Sequence, residues 1–240
     1  MHLDFATQPL AQQSATVVAL STGQTQVWPE VQPIQQIADP QFLGTRFQDN
    51  ALILGELLPR VLAQAATQPP NVHGWGGKKI RDEETWSLPS AKLLSTRALL
   101  LFCRATGATS AHVVDRWANV MEQGDYSKPH CHYEADGAVV YSLEPGEKNL
   151  AIPGDGCFEL IDSRIPFCCP SRPQRPTRGI LPDMSPGTMI YFPAELLHYV
   201  KPYSGQRPRV TVAWNISAGP PPATPVDFTK QVAGVLQQMG

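Results

Sequence analysis

The segment Asp125 to Gly137, "DYSKPHCHYEADG", sets His130 and His132 two residues apart, directly after Pro129, in a chain with six histidines in all. In an extended strand alternate side chains share a face, so these two imidazoles project together while Cys131 turns away. Paired imidazoles on one face begin a metal site. Glu134 and Asp136 follow closely enough to supply a carboxylate. Farther along, "SPGTMIYFPAELLHYVKPYSGQRPRVTVAWNI" carries His198 near the end of a strand-like run, then Arg207 and Arg209. In its last part Arg209, Thr211, Ala213 and Asn215 alternate with Val210, Val212, Trp214 and Ile216. An arginine on an inward face beside a hydroxyl cannot shed its charge and requires an anion. Imidazoles with one carboxylate, and open positions opposite, suit an oxygen-activating iron, and a dicarboxylate co-substrate would satisfy the arginine.

Such a site needs elements that bring His198 back to His130. After about residue 110 the chain breaks into short β-rich segments separated by Gly and Pro: "SAHVVDRWANVM", "GAVVYSL", "CFELID", "GTMIYFP" and "RVTVAWNI". No helices alternate with them, which argues against a parallel α/β sheet and for an antiparallel sandwich or jelly roll, where strands distant in sequence face each other. The proline-rich stretch Ile165 to Gly187 reads as a long surface loop. Before residue 110 the reading is mixed. Ala15 to Val27 suggests a hairpin. Asp49 to Ala66 carries Ile53, Leu57, Val61 and Ala65 at helical spacing, with Pro59 expected to kink or divide the helix. A second helix is expected from Ser90, as N-cap, to Gly107, with Leu94, Ala98, Leu101 and Ala105 on one face. A closing helix is expected over Asp227 to Gln238, after the "GPPPATP" linker. The fold class is thus an all-β core, an antiparallel jelly roll, with N-terminal helices packed on it (α+β). Its expected organisation is an N-terminal region 1–108, a β core 109–219 and a C-terminal linker and helix 220–240, together one structural domain.

At 240 residues the chain is long enough to bury a core without staples, and its net charge of −2, with no dense Lys/Arg run, points to neither nucleic acid nor an anionic membrane. The expected partner is a small molecule or a protein side chain; a homodimer is compatible with the sequence. Cys103, Cys131, Cys157, Cys168 and Cys169 are scattered and odd in number, which suits a reduced, cytoplasmic chain. The start "MHLDFATQPLAQQ" lacks the features of a signal peptide, and "ALLLFC" is too short to span a bilayer.

With "HGWGGKKI" (His73 to Ile80), "RWANVMEQGDYSKPHCH" (Arg116 to His132), "CFELIDSR" (Cys157 to Arg164), "GTMIYFPAELLHYVKP" and "RPRVTVAWN", the chain resembles the iron(II)- and 2-oxoglutarate-dependent dioxygenases. The resemblance implies a double-stranded β-helix whose cofactors are Fe(II), 2-oxoglutarate and O2, the co-substrate being converted to succinate and CO2 as a substrate C–H bond is hydroxylated. It also implies that His130 and His198 hold iron, that Arg209 with Thr211 binds the distal carboxylate of 2-oxoglutarate, and that Tyr126 and Asn119 line its pocket. The sequence departs from the superfamily's H-x-D pattern, because His132 stands where the aspartate is expected. Either His132 or Asp136 is then the third ligand.

Plainer readings stand beside these. His130 and His132 alone suit the polar face of an exposed strand, Cys131 a small apolar side chain, and His112 a structural histidine. His73 and Trp75 lie among glycines, as in a flexible turn or one that touches substrate. Arg172, Arg175 and Arg178 read as solvated charges or as a carboxylate site, and Asp162 with Arg164 as an ion pair. A cupin is a second enzymatic reading: Gly124, five residues, His130, His132 and Asp136 fit its first motif, although Glu195 replaces a glycine in the second. A non-catalytic jelly-roll binding module is the third.

Overall fold

The structure is a computed structural model that describes residues 10–29, 31–38, 42–69, 77–161 and 179–221. Helix α1 (Leu10–Ala15) leads into a hairpin of β1 (Val17–Leu20) and β2 (Gly23–Gln26), as its turn residues suggest. Strands β3 (Gln35–Ala38) and β4 (Phe42–Arg46) follow, then helix α2 (Asn50–Thr67), β5 (Lys78–Ile80), α3 (Glu83–Ser87) and α4 (Pro89–Thr106). The β-rich half contains β6 (Ala111–Met121), β7 (Ser127–His130), β8 (Gly137–Glu144), β9 (Phe158–Ile161), β10 (Thr188–Pro193), β11 (Leu197–Val200) and β12 (Arg209–Ala218). Residues 162–178, with Asp162, Arg164, Cys168, Cys169, Arg172, Arg175 and Arg178, lie outside the described residues, as do His2, His73, Trp75 and the segment 227–238 where a closing helix is expected.

These strands form a seven-stranded antiparallel sheet, β3-β4-β10-β8-β12-β6-β5, facing a three-stranded sheet, β7-β11-β9. Paired backbone bonds between Leu160 and Ile180 extend the smaller sheet on its β9 side. This is the expected jelly-roll core with helices on its outer face. The sequence reading missed the short strands β3, β4 and β5, which widen the large sheet at both edges.

The alternation along β12 explains the layering. Val210, Val212, Trp214 and Ile216 face α2 and α4 and join one core with Ile53, Leu57, Val61, Leu94 and Leu101. Ala213 faces the other way, into a second core with Trp117, Val140, Phe158, Leu160, Ile190 and Phe192 between the sheets. Each fully buried aliphatic or aromatic side chain contributes roughly 1.5–3 kcal/mol, so both faces of the large sheet are held. Strand β5 docks tightly at the edge: Gly77 has φ +66°, and a Cβ there would meet the Val120 carbonyl oxygen at 2.2 Å. Among the described residues no helix is long and apolar enough to cross a membrane.

Two helix expectations are corrected. Helix α2 runs unbroken through Pro59, which lies on its exposed face, where water can satisfy the Gly55 carbonyl left without a donor. Ser90 is not an N-cap. Helix α4 begins at Pro89, and the Ser90 backbone N–H donates to Glu56 Oε2 at 2.7 Å, so a carboxylate from α2 does the capping. Gly107 does end the helix in the left-handed conformation, with φ 75°.

The fully buried Arg97 ties the hairpin, α2 and α4 together. Its Nη1 donates to Asp49 Oδ1 at 2.8 Å, Nη2 to Asp49 Oδ2 at 2.6 Å, and Nε to the Val27 carbonyl at 2.9 Å. Burial alone would raise the Asp49 pKa, but the Arg97 bonds outweigh it and hold the carboxyl below its ordinary value. Its stabilisation is therefore present above the ordinary carboxylate range and is lost as pH falls through the depressed native value. Asp49→Ala, which strands a buried guanidinium, should lower the unfolding free energy in urea by about 3–5 kcal/mol. A loss below about 1 kcal/mol, as for an exposed pair, would contradict that role.

Candidate metal centre

The centre starts from the pairing of β7 with β11, which sets His130 opposite His198 and Ser127 opposite Val200. One more residue is spent on β7 than on β11 between those pairs, a β-bulge over Lys128 and Pro129. Proline cannot donate to the ladder, so a bulge suits it. The bulge rephases the strand, so that both Ser127 and His130 reach the interior. Ser127 Oγ then accepts the Val200 backbone N–H at 2.7 Å.

His132 does not share a strand face with His130, as the alternation suggested. Strand β7 ends at His130, and His132 is held in the following turn by its backbone N–H, which donates to the Ala194 carbonyl at 2.8 Å. Its ring nevertheless joins the other two. Ring centroids are 4.3 Å apart for His130 and His198, 4.9 Å for His132 and His198, and 5.3 Å for His130 and His132. One nitrogen from each lies within 4.8 Å of the others, and His132 Nε2 is 3.1 Å from His198 Nε2.

Backbone carbonyls select the tautomers. His130 Nδ1 lies 2.7 Å from the Lys128 carbonyl and His198 Nδ1 lies 2.9 Å from the Leu196 carbonyl. A carbonyl can only accept, so in each ring Nδ1 carries the proton and Nε2 is the ligating nitrogen. Burial, then the neighbouring His130, pushes His198 down to about 3 and His132 down to about 4; burial lowers His130 as well. The cluster is therefore neutral at pH 7, the state that binds a metal cation. Phe158 and Phe192 pack against His198, with centroids at 5.5 and 4.7 Å, and keep water from that side.

From the histidines a narrow cleft runs along the large sheet. Across β12 and β6, Arg209 pairs with Met121, Thr211 with Asn119 and Ala213 with Trp117, and all six line the cleft. The Trp117 indole N–H donates to Asn119 Oδ1 at 3.1 Å and orients that amide. Arg209 is 5% exposed; burial lowers its pKa to about 10, which leaves it charged at neutral pH. Its side chain makes a weak contact, Nη1 to Met121 Sδ at 3.6 Å, and no carboxylate pairs with it among the described residues. Arg207 instead points outward and pairs with Glu147 at 3.0 Å.

Other expected site residues lie elsewhere. Tyr126 is half-buried and does not line the cleft, because it is out of phase with its inward neighbour Ser127. Asp136 Oδ2 accepts the Ala218 backbone N–H at 2.8 Å, fastening the turn to the end of β12, and neither Asp136 nor Glu134 belongs to the metal-capable cluster. Cys131 is exposed, and His112 Nδ1 bonds the Gly219 carbonyl at 3.0 Å, a structural role. Sequence reasoning missed Ser127 and Lys79 as cleft residues; the phase of Lys79 becomes readable only once β5 is recognised as a strand. A larger open groove, lined by Thr25, Gln32, Thr45, Arg46 and Asp183 among others, shares no residue with the cleft.

Residues 115–215 match the family model described as "Putative 2OG-Fe(II) oxygenase". In structure the chain is similar to the non-heme alpha ketoglutarate dependent epimerase SnoN from nogalamycin biosynthesis, at 13% identity and TM-score 0.54, covering 73% of this chain and 76% of that one. SnoN has also been solved with Fe3+ and alpha ketoglutarate. It is likewise similar to a Pseudomonas putida prolyl-4-hydroxylase, at 14% identity and TM-score 0.51, covering 77% and 96%. A Trichoplax adhaerens prolyl hydroxylase bound to a hypoxia inducible factor peptide gives 18% identity and TM-score 0.51, covering 75% and 85%. At such identities the likeness to solved structures is one of fold. No curated protein matches the chain in sequence.

His198→Ala should lower Fe(II) affinity by about tenfold or more, as loss of a ligand or of its supporting shell does, with the far-UV spectrum retained. Asp136→Ala should keep the metal. Equilibrium dialysis with metal analysis reads both: unchanged metal in His198→Ala would remove His198 from the centre, and metal lost in Asp136→Ala but kept in His132→Ala would move the third ligand to Asp136.

Proposed function

We propose that the chain is an iron(II)- and 2-oxoglutarate-dependent oxygenase, a hydroxylase in which His130, His132 and His198 hold the metal while Arg209 and Thr211 anchor the co-substrate; the family-model match over residues 115–215 supports this reading. When bound, iron(II) with 2-oxoglutarate and O2 supplies the oxidising chemistry, releasing succinate and CO2 as a substrate C–H bond is hydroxylated.

The observation that carries this assignment is the buried Arg209, paired with no carboxylate among the described residues, in a cleft that also holds the three imidazoles. A guanidinium desolvated without an anion costs several kcal/mol, and a bidentate carboxylate is the partner its planar fork fits best. Thr211, two residues along the same strand face, adds a hydroxyl, and Asn119 adds an amide already oriented by Trp117. The Nδ1 protons of His130 and His198, fixed by backbone carbonyls, keep both rings turned correctly without further rearrangement. Phe158, Phe192 and Val140 dry the walls, which strengthens every charge interaction in the cleft. Three neutral imidazoles bring no negative charge, so charge balance at a divalent cation rests on the dicarboxylate. The cupin reading loses its carboxylate, since Asp136 is occupied by the Ala218 N–H.

Arg209→Lys keeps the charge and loses the fork. It should raise the 2-oxoglutarate concentration for half-maximal succinate formation, without primary substrate, by roughly tenfold. Arg207→Lys alters only an exposed pair and should stay within about twofold of wild type. If the wild-type protein with iron neither binds nor consumes 2-oxoglutarate, the oxygenase assignment fails.

A further inference from the structure

Strand β5 and the residue just after it carry three cations close together, and their surroundings differ. Lys78 pairs with Glu122 at 3.0 Å, and Arg81, just past the strand, pairs with Asp115 at 2.9 Å. Lys79 lines the cleft, and no carboxylate pairs with it among the described residues. Its Nζ lies 4.9 Å from the centre of the Trp117 ring, and that ring lies 5.9 Å from His132. Lys79 pairs across the sheet with Asn119, which pairs with Thr211, so the three stand side by side on the cleft face. With strands about 4.8 Å apart, Lys79 stands about 10 Å across the floor from β12.

Among the described residues the cleft therefore holds two cations with no carboxylate paired to them, the buried Arg209 on β12 and the exposed Lys79 on the edge strand β5. This inference rests on the oxygenase assignment. There, one carboxylate of 2-oxoglutarate answers Arg209 and the other end answers the metal, so the co-substrate has no charge left for Lys79. We propose that Lys79 binds a carboxylate of the primary substrate, setting an acid over the Trp117 face beside His132. One ammonium next to an aromatic ring, with Arg81 already neutralised by Asp115, suits a monoanion; a phosphate would call for several convergent donors. The substrate class is a small organic acid, or a peptide that presents a free carboxylate, with its reacting C–H bond a short distance from that group.

The test uses benzoate and its uncharged isostere benzamide as probes of the full chain loaded with Mn(II) and saturating 2-oxoglutarate. Paramagnetic relaxation of the probe protons reports occupancy near the metal, without turnover. Benzoate should be relaxed and benzamide hardly so, and Lys79→Met should cut the benzoate effect by roughly fivefold, the loss of one partly exposed ion pair. Lys79→Arg should restore it. Equal relaxation of both probes, or of wild type and Lys79→Met, overturns the proposal. So does a fall in 2-oxoglutarate affinity of Lys79→Met, by calorimetry, as large as that of Arg209→Met, which would assign Lys79 to the co-substrate. Failure of the wild type to bind 2-oxoglutarate at all would instead defeat the oxygenase assignment itself.

Discussion

The antiparallel pairing of β7 with β11 is the constraint on which the centre depends. It joins strands distant in sequence and brings His130 and His198 face to face, with His132 following just after β7. The register is not free to slip: Leu197 to Val200 is also locked against Phe158 to Ile161 on the other side of β11. A one-residue shift would send His198 to the opposite face and bring Leu197 or Tyr199 into the cluster. The bulge at Lys128 and Pro129 adjusts the same pairing, allowing a serine at one end and a histidine at the other to face inward.

Around this pairing the molecule invests in desolvation. Phe158 and Phe192 dry the histidines, and two hydrophobic cores clamp the large sheet. Apolar surroundings keep the imidazoles neutral, and the same surroundings make Arg209 costly until an anion arrives. Arg97, by contrast, is buried with its partner Asp49 and has its hydrogen bonds filled by the Val27 and Gln26 carbonyls. The two arginines show the difference between a structural charge, satisfied within the fold, and one kept for a ligand.

Much of this was legible in the sequence because it rests on period and residue type. The alternation from Arg209 to Ile216 reports two faces without any tertiary information, and the helix faces of Ile53, Leu57, Val61 and of Leu94, Ala98, Leu101 follow the same way. The long-range pairing could be anticipated only through the family resemblance, since nothing local in "LLHYV" names its partner. What failed was phase and context. A bulge is invisible in "DYSKPHCH", so simple alternation did not show that both Ser127 and His130 face inward, and the resemblance implied Tyr126 for the pocket where Ser127 lines it. Asp136 looks like a ligand by spacing, yet a backbone N–H at Ala218 claims it. Pro59 reads as a helix breaker until its exposed position is known, and Ser90 as a cap until Glu56 arrives from another helix. Lys79 was overlooked because a three-residue strand has too short an alternation to announce itself.

The central claim, that three histidines and Arg209 form one site for iron(II) and 2-oxoglutarate, is tested most directly by anaerobic absorption spectroscopy. A 2-oxoglutarate that chelates protein-held iron(II) gives a visible metal-to-ligand charge-transfer band absent from either component alone. The account predicts such a band, saturating near about one equivalent of 2-oxoglutarate per chain and lost in His198→Ala. No band with iron and 2-oxoglutarate in excess, or an undiminished band without His198, would contradict it.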